Sequence, residues 1–214
     1  VLGDSSPLFV FRNYSATKMT RLREELLQDE ALRRRYVDAY EEAAGQQNFL
    51  NARCNYPELH GMQSNLYKCF LPVAWRIGSE RGVSAFLHPE GVYDDPKGGA
   101  LRRKIYSRLR YHFQFQNELK LFGDVHNETT FSLNVYGIKL EKIHFFHIAN
   151  LFVPSTIDAC FTADGGGALP GIKTDENKWN TAGHRDRVVR VTGEELSLFA
   201  SLYDQPGTPL EEAR

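Results

Sequence analysis

Hydrophobic positions along this chain change their period repeatedly, and each change marks an element. From Thr17 to about Ala44, Met19, Leu22, Leu26 and Leu27 recur at helical spacing among Arg, Glu and Ala, which predicts an amphipathic helix broken near Asp29. Cys54 to Gly61 is a loop by its Pro and Gly content. Ser64 or Asn65 then supplies an N-cap, and Leu66, Phe70, Val73 and Ile77 predict an apolar helix face running to Gly78. Val83 to Leu87 is a short apolar run, the pattern of a strand buried on both faces of a parallel sheet.

After the loop His88 to Gly99, Leu101, Ile105 and Leu109 repeat every four residues, predicting a helix whose outer face carries Arg102, Arg103, Lys104 and Arg108. Tyr111 to Gln116 and Phe131 to Tyr136 alternate as strands and predict an antiparallel pair at a sheet edge. Ile143 to Val153 is apolar and aromatic, Asp164 to Gly171 is a loop, and Arg187 to Val191 is a short strand. Thr192 and Glu195 form a capping box that opens a last helix, which ends near Tyr203 before Pro206 and Gly207. A helix followed by a buried strand is half of an α/β unit, so the expected fold is α/β and doubly wound.

Composition adds limits. A hydrophobic content of 42% can fill a core, and 26 basic against 27 acidic residues leave no global attraction to nucleic acid, so any such contact must come from local clustering. Three widely spaced cysteines, Cys54, Cys69 and Cys160, argue against a disulfide framework and for a reducing compartment. No stretch approaches the ~20 apolar residues of a membrane span, and no charged leader precedes an apolar run, so a cytoplasmic location is expected. His144 and His147 lack a third ligand at zinc spacing, Gly165-Gly166-Gly167 lacks the Gly-Lys-Ser/Thr ending of a phosphate loop, and no Gly-x-Ser-x-Gly elbow occurs.

One ordered set of motifs points further. Asn65-Leu66-Tyr67-Lys68-Cys69-Phe70-Leu71, an apolar strand running into His88-Pro89-Glu90-Gly91, a basic helix and a strand pair follow one another from Asn65 to Tyr136. This order resembles the C-terminal half of the catalytic domain in DNA adenine-N6 methyltransferases, the amino-methyltransferases of restriction-modification and related phage-defence systems. The resemblance implies a partial doubly wound, Rossmann-like methyltransferase sheet with an antiparallel edge hairpin over residues 1–140. Residues 141–214 would be an extension toward a target-recognition region. It implies S-adenosylmethionine as cofactor, double-stranded DNA as substrate, and the rest of the methyltransferase polypeptide or a partner subunit as the source of what is missing here. Neither an Asn-Pro-Pro-aromatic motif nor a glycine-rich cofactor turn occurs, so the chain, which begins at Val1, is expected to be part of something longer and inactive alone.

By the same resemblance, Asn65, Tyr67 and Phe70 belong to the cofactor site, Phe70 lying against the cofactor's adenine. Phe122, with His88 and Pro89 at the pocket rim, faces the flipped base, and Phe131 is the fallback for Phe122. Phe70 and Phe122 should then line one cleft. Lys97, Arg102, Arg103 and Arg108 would meet the DNA backbone. From the residues alone, Phe70 reads first as a core residue, Phe122 equally as an anchor under a hairpin, and the basic helix first as a solvated face. The competing function is a non-catalytic module that keeps the fold to dock DNA or a partner.

Overall fold

The computed structural model describes the backbone of every residue except Arg12, Ser64 and Glu80, and leaves the side chain of Phe11 undescribed. Two compact units divide the chain, Val1–Asn55 and Tyr56–Arg214. The first is helical: short turns α1 (Leu2–Ser5) and α2 (Leu8–Phe11) precede α3 (Ala16–Leu26) and α4 (Glu30–Asn51). The expected break is at Asp29, whose carboxylate accepts from the Leu32 amide and caps α4. No described helix is long and apolar enough to cross a membrane.

The second unit holds α5 (Leu66–Ile77), β1 (Ser84–Pro89), α6 (Gly91–Asp94), α7 (Gly99–Tyr106), β2 (Leu109–Gln116), β3 (Thr130–Tyr136), β4 (Phe145–Leu151), α8 (Ser155–Thr162), β5 (Val189–Val191) and α9 (Gly193–Tyr203). The N-cap reading at Ser64 lies outside the described residues; Asn65 occupies the cap position but its side chain makes no capping bond. The capping box of Thr192 and Glu195 opens α9 as its spacing predicts.

The five strands form one mixed sheet in the order β1-β3-β2-β4-β5. β3 runs antiparallel to both β1 and β2, β4 is parallel to β2, and β5 is antiparallel to β4. The fold is therefore α/β with a partial Rossmann-like sheet. Two details differ from expectation. The antiparallel pair β2/β3 lies inside the sheet, because the segment after residue 140 adds β4 and β5 beyond β2. β1, expected to be buried on both faces, is an outer strand on which His88 alone is buried.

Period-2 alternation gives the sheet two unlike faces. On one, Phe113, Phe115, Phe131, Ile148 and Leu151 pack with Cys160 of α8 in an apolar core, and Phe115 and Phe131, directly opposite in the ladder, stack at 5.5 Å. The other face presents His88, His112, Ser132 and Asn134, all buried. α5 covers it through Tyr67 on His88 (5.4 Å) and Trp75 against Tyr136, and α7 through Tyr106 stacked on Phe145. The predicted apolar face of α5 is the one turned outward: Leu66, Phe70 and Ile77 are exposed, Ile77 by 78%. Lys68, Cys69 and Leu71 are the buried ones, and Lys68 is accommodated by its ammonium reaching Asp95 at 3.4 Å and the Gln63 carbonyl at 3.2 Å.

The C-terminus is tied to this face by Arg102. It is only 1% exposed, and its guanidinium donates to the carbonyls of Tyr93 (3.2 Å), Asp95 (2.7 Å) and Glu212 (2.9 Å). A buried cation is tolerated when its donors are satisfied in this way, and truncating it strands several carbonyls at once. Arg102→Ala is expected to cost about 3 kcal/mol of stability, read by urea denaturation, with Arg102→Lys recovering only part of the loss because an ammonium lacks the planar fork. A change within ~0.5 kcal/mol, as at an ordinary surface site, would count against the clamp.

Candidate functional site

The chain leaves β1 at its carboxyl end through His88-Pro89-Glu90-Gly91, the place where open α/β sheets put their ligands. His88 sits here in a chain of bonds whose direction is set by an acceptor. Its Nδ1 lies 2.8 Å from the Pro89 carbonyl, which can only accept, so Nδ1 carries the proton and Nε2 accepts from Asn134 (3.0 Å) and the Tyr136 hydroxyl (3.3 Å). The Tyr93 hydroxyl donates to Asn134 at 2.6 Å, and Asn134 donates onward to the Ser132 hydroxyl at 2.8 Å. Burial pushes the His88 pKa down and the Tyr93 pKa well up, so this chain is neutral.

Beside it lies an anion. Glu90 is 4% exposed, with one carboxylate oxygen 3.2 Å from His112 Nε2 and the other accepting from Gln114 at 3.0 Å. Burial alone would push its pKa up, but hydrogen bonds from His112, Ser132 and Gln114 outweigh that and hold it at about 2. His112 stacks on His147 at 4.8 Å, and His147 Nδ1 donates to the His112 carbonyl. Burial, then the neighbouring His112, lowers the His147 pKa to about 4. No group of three or more metal-ligating side chains occurs among the described residues. Glu90 and His112 are sealed by their own partners, so this layer can hold the carboxyl end of the sheet rigid but offers no nucleophile to a substrate.

The residues expected to form a site fall around this layer. Tyr67 faces inward, its ring on His88, with burial and then Asp95 raising its pKa to about 12; Gly91 leaves room for its hydroxyl, which a Cβ there would meet at 3.1 Å. Asn65 and Phe70 face outward, Phe70 with 55% of its surface exposed. Pro89 lies exposed on the sheet's opposite face, in register with Phe131. Phe122, 41% exposed, packs edge-on against Phe131 at 5.1 Å, and Phe131 itself belongs to the apolar core. Phe70 thus lies on the helix over the polar face and Phe122 packs against the apolar face, and no ring contact joins the two among the described residues.

Of the four cations expected on DNA, Arg102 is withdrawn into the interior, only 1% exposed, with its Nε and Nη1 donating to backbone carbonyls. Arg103 is paired with Glu212, and Arg108 lies over the Trp75 ring at 5.2 Å. Lys97 is exposed and makes no salt bridge among the described residues.

Asn117 is a residue the motifs did not single out. Fully buried after β2, it donates to the carbonyls of Phe122 and Val125 (both 2.9 Å) and accepts from the Phe122 amide (3.0 Å). One amide side chain therefore shapes the loop that presents Phe122. Its only signal in the sequence is an Asn at the end of a strand before a polar stretch, a turn cue.

No family model and no curated protein matches the chain. Among solved structures, the type IIG restriction endonuclease BpuSI is similar with a TM-score of 0.41 and 16% identity, over 82% of this chain and 18% of that one. A chain of the type I R-M system is similar with a TM-score of 0.40 and 13% identity, over 71% of this chain and 34% of that one. The chain thus spans well under two thirds of either protein. Likeness at this level leaves function to be read from the residues above.

The buried layer makes stability depend on acid. Glu90 has a folded pKa below its ordinary 4.5, so its contribution is full above pH 4.5 and disappears as pH falls toward about 2. His147, neutral when folded, contributes fully above its ordinary 6.5 and loses that contribution as pH falls toward about 4. Urea denaturation between pH 7.5 and 2.5 should show stability falling across both windows. Glu90→Gln should flatten the lower one, whose depth is roughly 3 kcal/mol. An unchanged acid profile in that variant would mean Glu90 is not held as an anion.

Proposed function

We propose that this chain supplies the C-terminal part of the catalytic domain of an S-adenosylmethionine-dependent DNA adenine-N6 methyltransferase of a restriction-modification system. The observation that carries the reading is the placement of the Asn65-Leu66-Tyr67-x-x-Phe70 helix turn. It lies over the carboxyl end of β1, beside a sheet in which β3 is inserted antiparallel between the like-directed β1 and β2.

The residues at that turn suit the cofactor. Phe70 offers an exposed flat face of the kind that stacks on a purine, and the Asn65 amide is not spent on capping α5. S-adenosylmethionine, when bound, supplies the methyl group. The chain's own contribution is to hold Phe70 and Asn65 on a helix seated on the His88 layer, and to hold Phe122 on a loop shaped by Asn117. Adenine inside a duplex reaches an active site only after extrusion, and an exposed aromatic ring at the rim stabilises the everted base. The adenine amine also needs hydrogen-bond acceptors that localise its lone pair, and these come from the remaining polypeptide or a partner subunit. Of the four cations assigned to the DNA backbone, Lys97 is exposed and makes no salt bridge among the described residues, which leaves it available for a phosphate.

The test combines this chain with its missing catalytic portion. S-adenosylmethionine binding is measured by calorimetry, and methyl transfer to duplex DNA by label incorporation. Phe70→Ala should weaken cofactor binding about tenfold or more, with Phe70→Tyr close to wild type. Phe122→Ala should leave cofactor binding intact and lower methyl transfer. A complete protein that binds DNA but neither binds S-adenosylmethionine nor methylates would overturn the reading in favour of a docking module.

A further inference from the structure

A groove of about 970 Å³ lies at the other end of the sheet, away from His88 and Glu90. The last turn of α7, the connection from β3 to β4 and the turn from β5 into α9 form its walls, and it carries Arg103, Lys104, Lys139, Lys142 and Arg190. Arg103 is held by Glu212, whereas the other four make no salt bridge among the described residues and are exposed. Two carboxylates, Glu141 and Glu211, also line the groove and leave it with a positive balance. This concentration stands out in a chain whose total charge is −1.

The mount is firm. The Gly137 amide donates to the Arg108 carbonyl and the Leu140 amide to the Ser107 carbonyl, both at 2.8 Å, while Arg110 donates to the Ile138 carbonyl. Lys139 therefore projects from a segment stitched on both sides to the start of β2. Leu140 and Ile143 supply apolar surface beneath the cations.

We propose that this groove binds the phosphate backbone of a nucleic-acid duplex. Exposed lysines gain little from one small anion, because water and salt screen each pair. Against a chain of regularly spaced phosphates the same cations add, each neutralised phosphate releasing condensed counterions. A small-molecule site would instead converge a few buried polar groups, and none of the groove's cations is buried. A protein partner would be met by aromatic anchors, and a single strand by aromatic stacking platforms. No Phe, Tyr or Trp lines the groove. Sequence-independent backbone contact to a duplex is what remains. Neither the cofactor turn nor the carboxyl end of the sheet is involved, so duplex binding here is independent of the methyltransferase reading.

Fluorescence anisotropy with a labelled duplex of arbitrary sequence, titrated with the full chain without S-adenosylmethionine at 50 to 250 mM KCl, tests it. The triple substitution Lys139→Gln, Lys142→Gln, Arg190→Gln should lower affinity at least about tenfold and reduce the slope of log K against log[KCl] by about 2.7, at ~0.9 for each phosphate no longer neutralised. Lys104→Gln alone should reduce it by ~0.9. Unchanged urea midpoints confirm that both variants fold; should the triple variant not fold, the single one carries the test. A slope unaltered in the folded variants overturns the proposal. So does binding of the same length of single strand as tightly as duplex, or micromolar binding of inorganic tripolyphosphate that the triple substitution abolishes.

Discussion

A carboxylate with almost no access to water can stay ionised only if its neighbours replace that water, and Glu90 imposes this demand on everything around it. His112 and Gln114 from β2 answer it directly, across the gap left by the turn out of β1. Meeting it requires β3 to lie between β1 and β2 in the observed register, which brings Ser132 level with both His88 and Gln114. A slip of one residue would turn the polar row onto the apolar side and leave a buried charge unpaired. The polar layer thus specifies the register that the apolar face, rich in interchangeable Phe rings, would define less sharply.

The same logic ties distant parts of the chain together. Arg102 gathers carbonyls from α6, from the following loop and from the C-terminal turn, so residues more than a hundred positions apart share one cation. Asn117 does the equivalent for the loop after β2. In each case a single side chain with several donors or acceptors replaces a larger apolar contact. That suits a fold whose functional end must be held in place without being filled.

Much of this was legible in the sequence. The break at Asp29, the strands β2 and β3 and the capping box at Thr192 all follow from local periodicity and side-chain capping chemistry. The face of α5 was not legible, because hydropathy tells which side of a helix is apolar and not which side is covered. Lys68 sits inside because its ammonium reaches the Gln63 carbonyl and Asp95, the latter a partner 27 positions away that local hydropathy does not reveal. Arg102 misled for the same reason: its neighbours Arg103 and Lys104 made it look like part of a solvated face, while its partners lie in segments joined only by the fold. The polar positions of β2 and β3 alternate as though facing water, and helices from elsewhere in the chain cover them. Phe70 belongs to a helix over the polar face and Phe122 to a loop packed against Phe131 of the apolar face, a relation set by tertiary packing that periodicity does not contain.

Among the described residues β1 has one hydrogen-bonded neighbour, while Tyr67 stacks on His88 near its far end and Glu90 follows it into the polar layer. Any segment that completed the sheet beside Leu87 would restrict the fluctuations of His88 and of the helix turn bearing Phe70. A ligand ordering that turn would, by reciprocity, favour the added segment by the same factor.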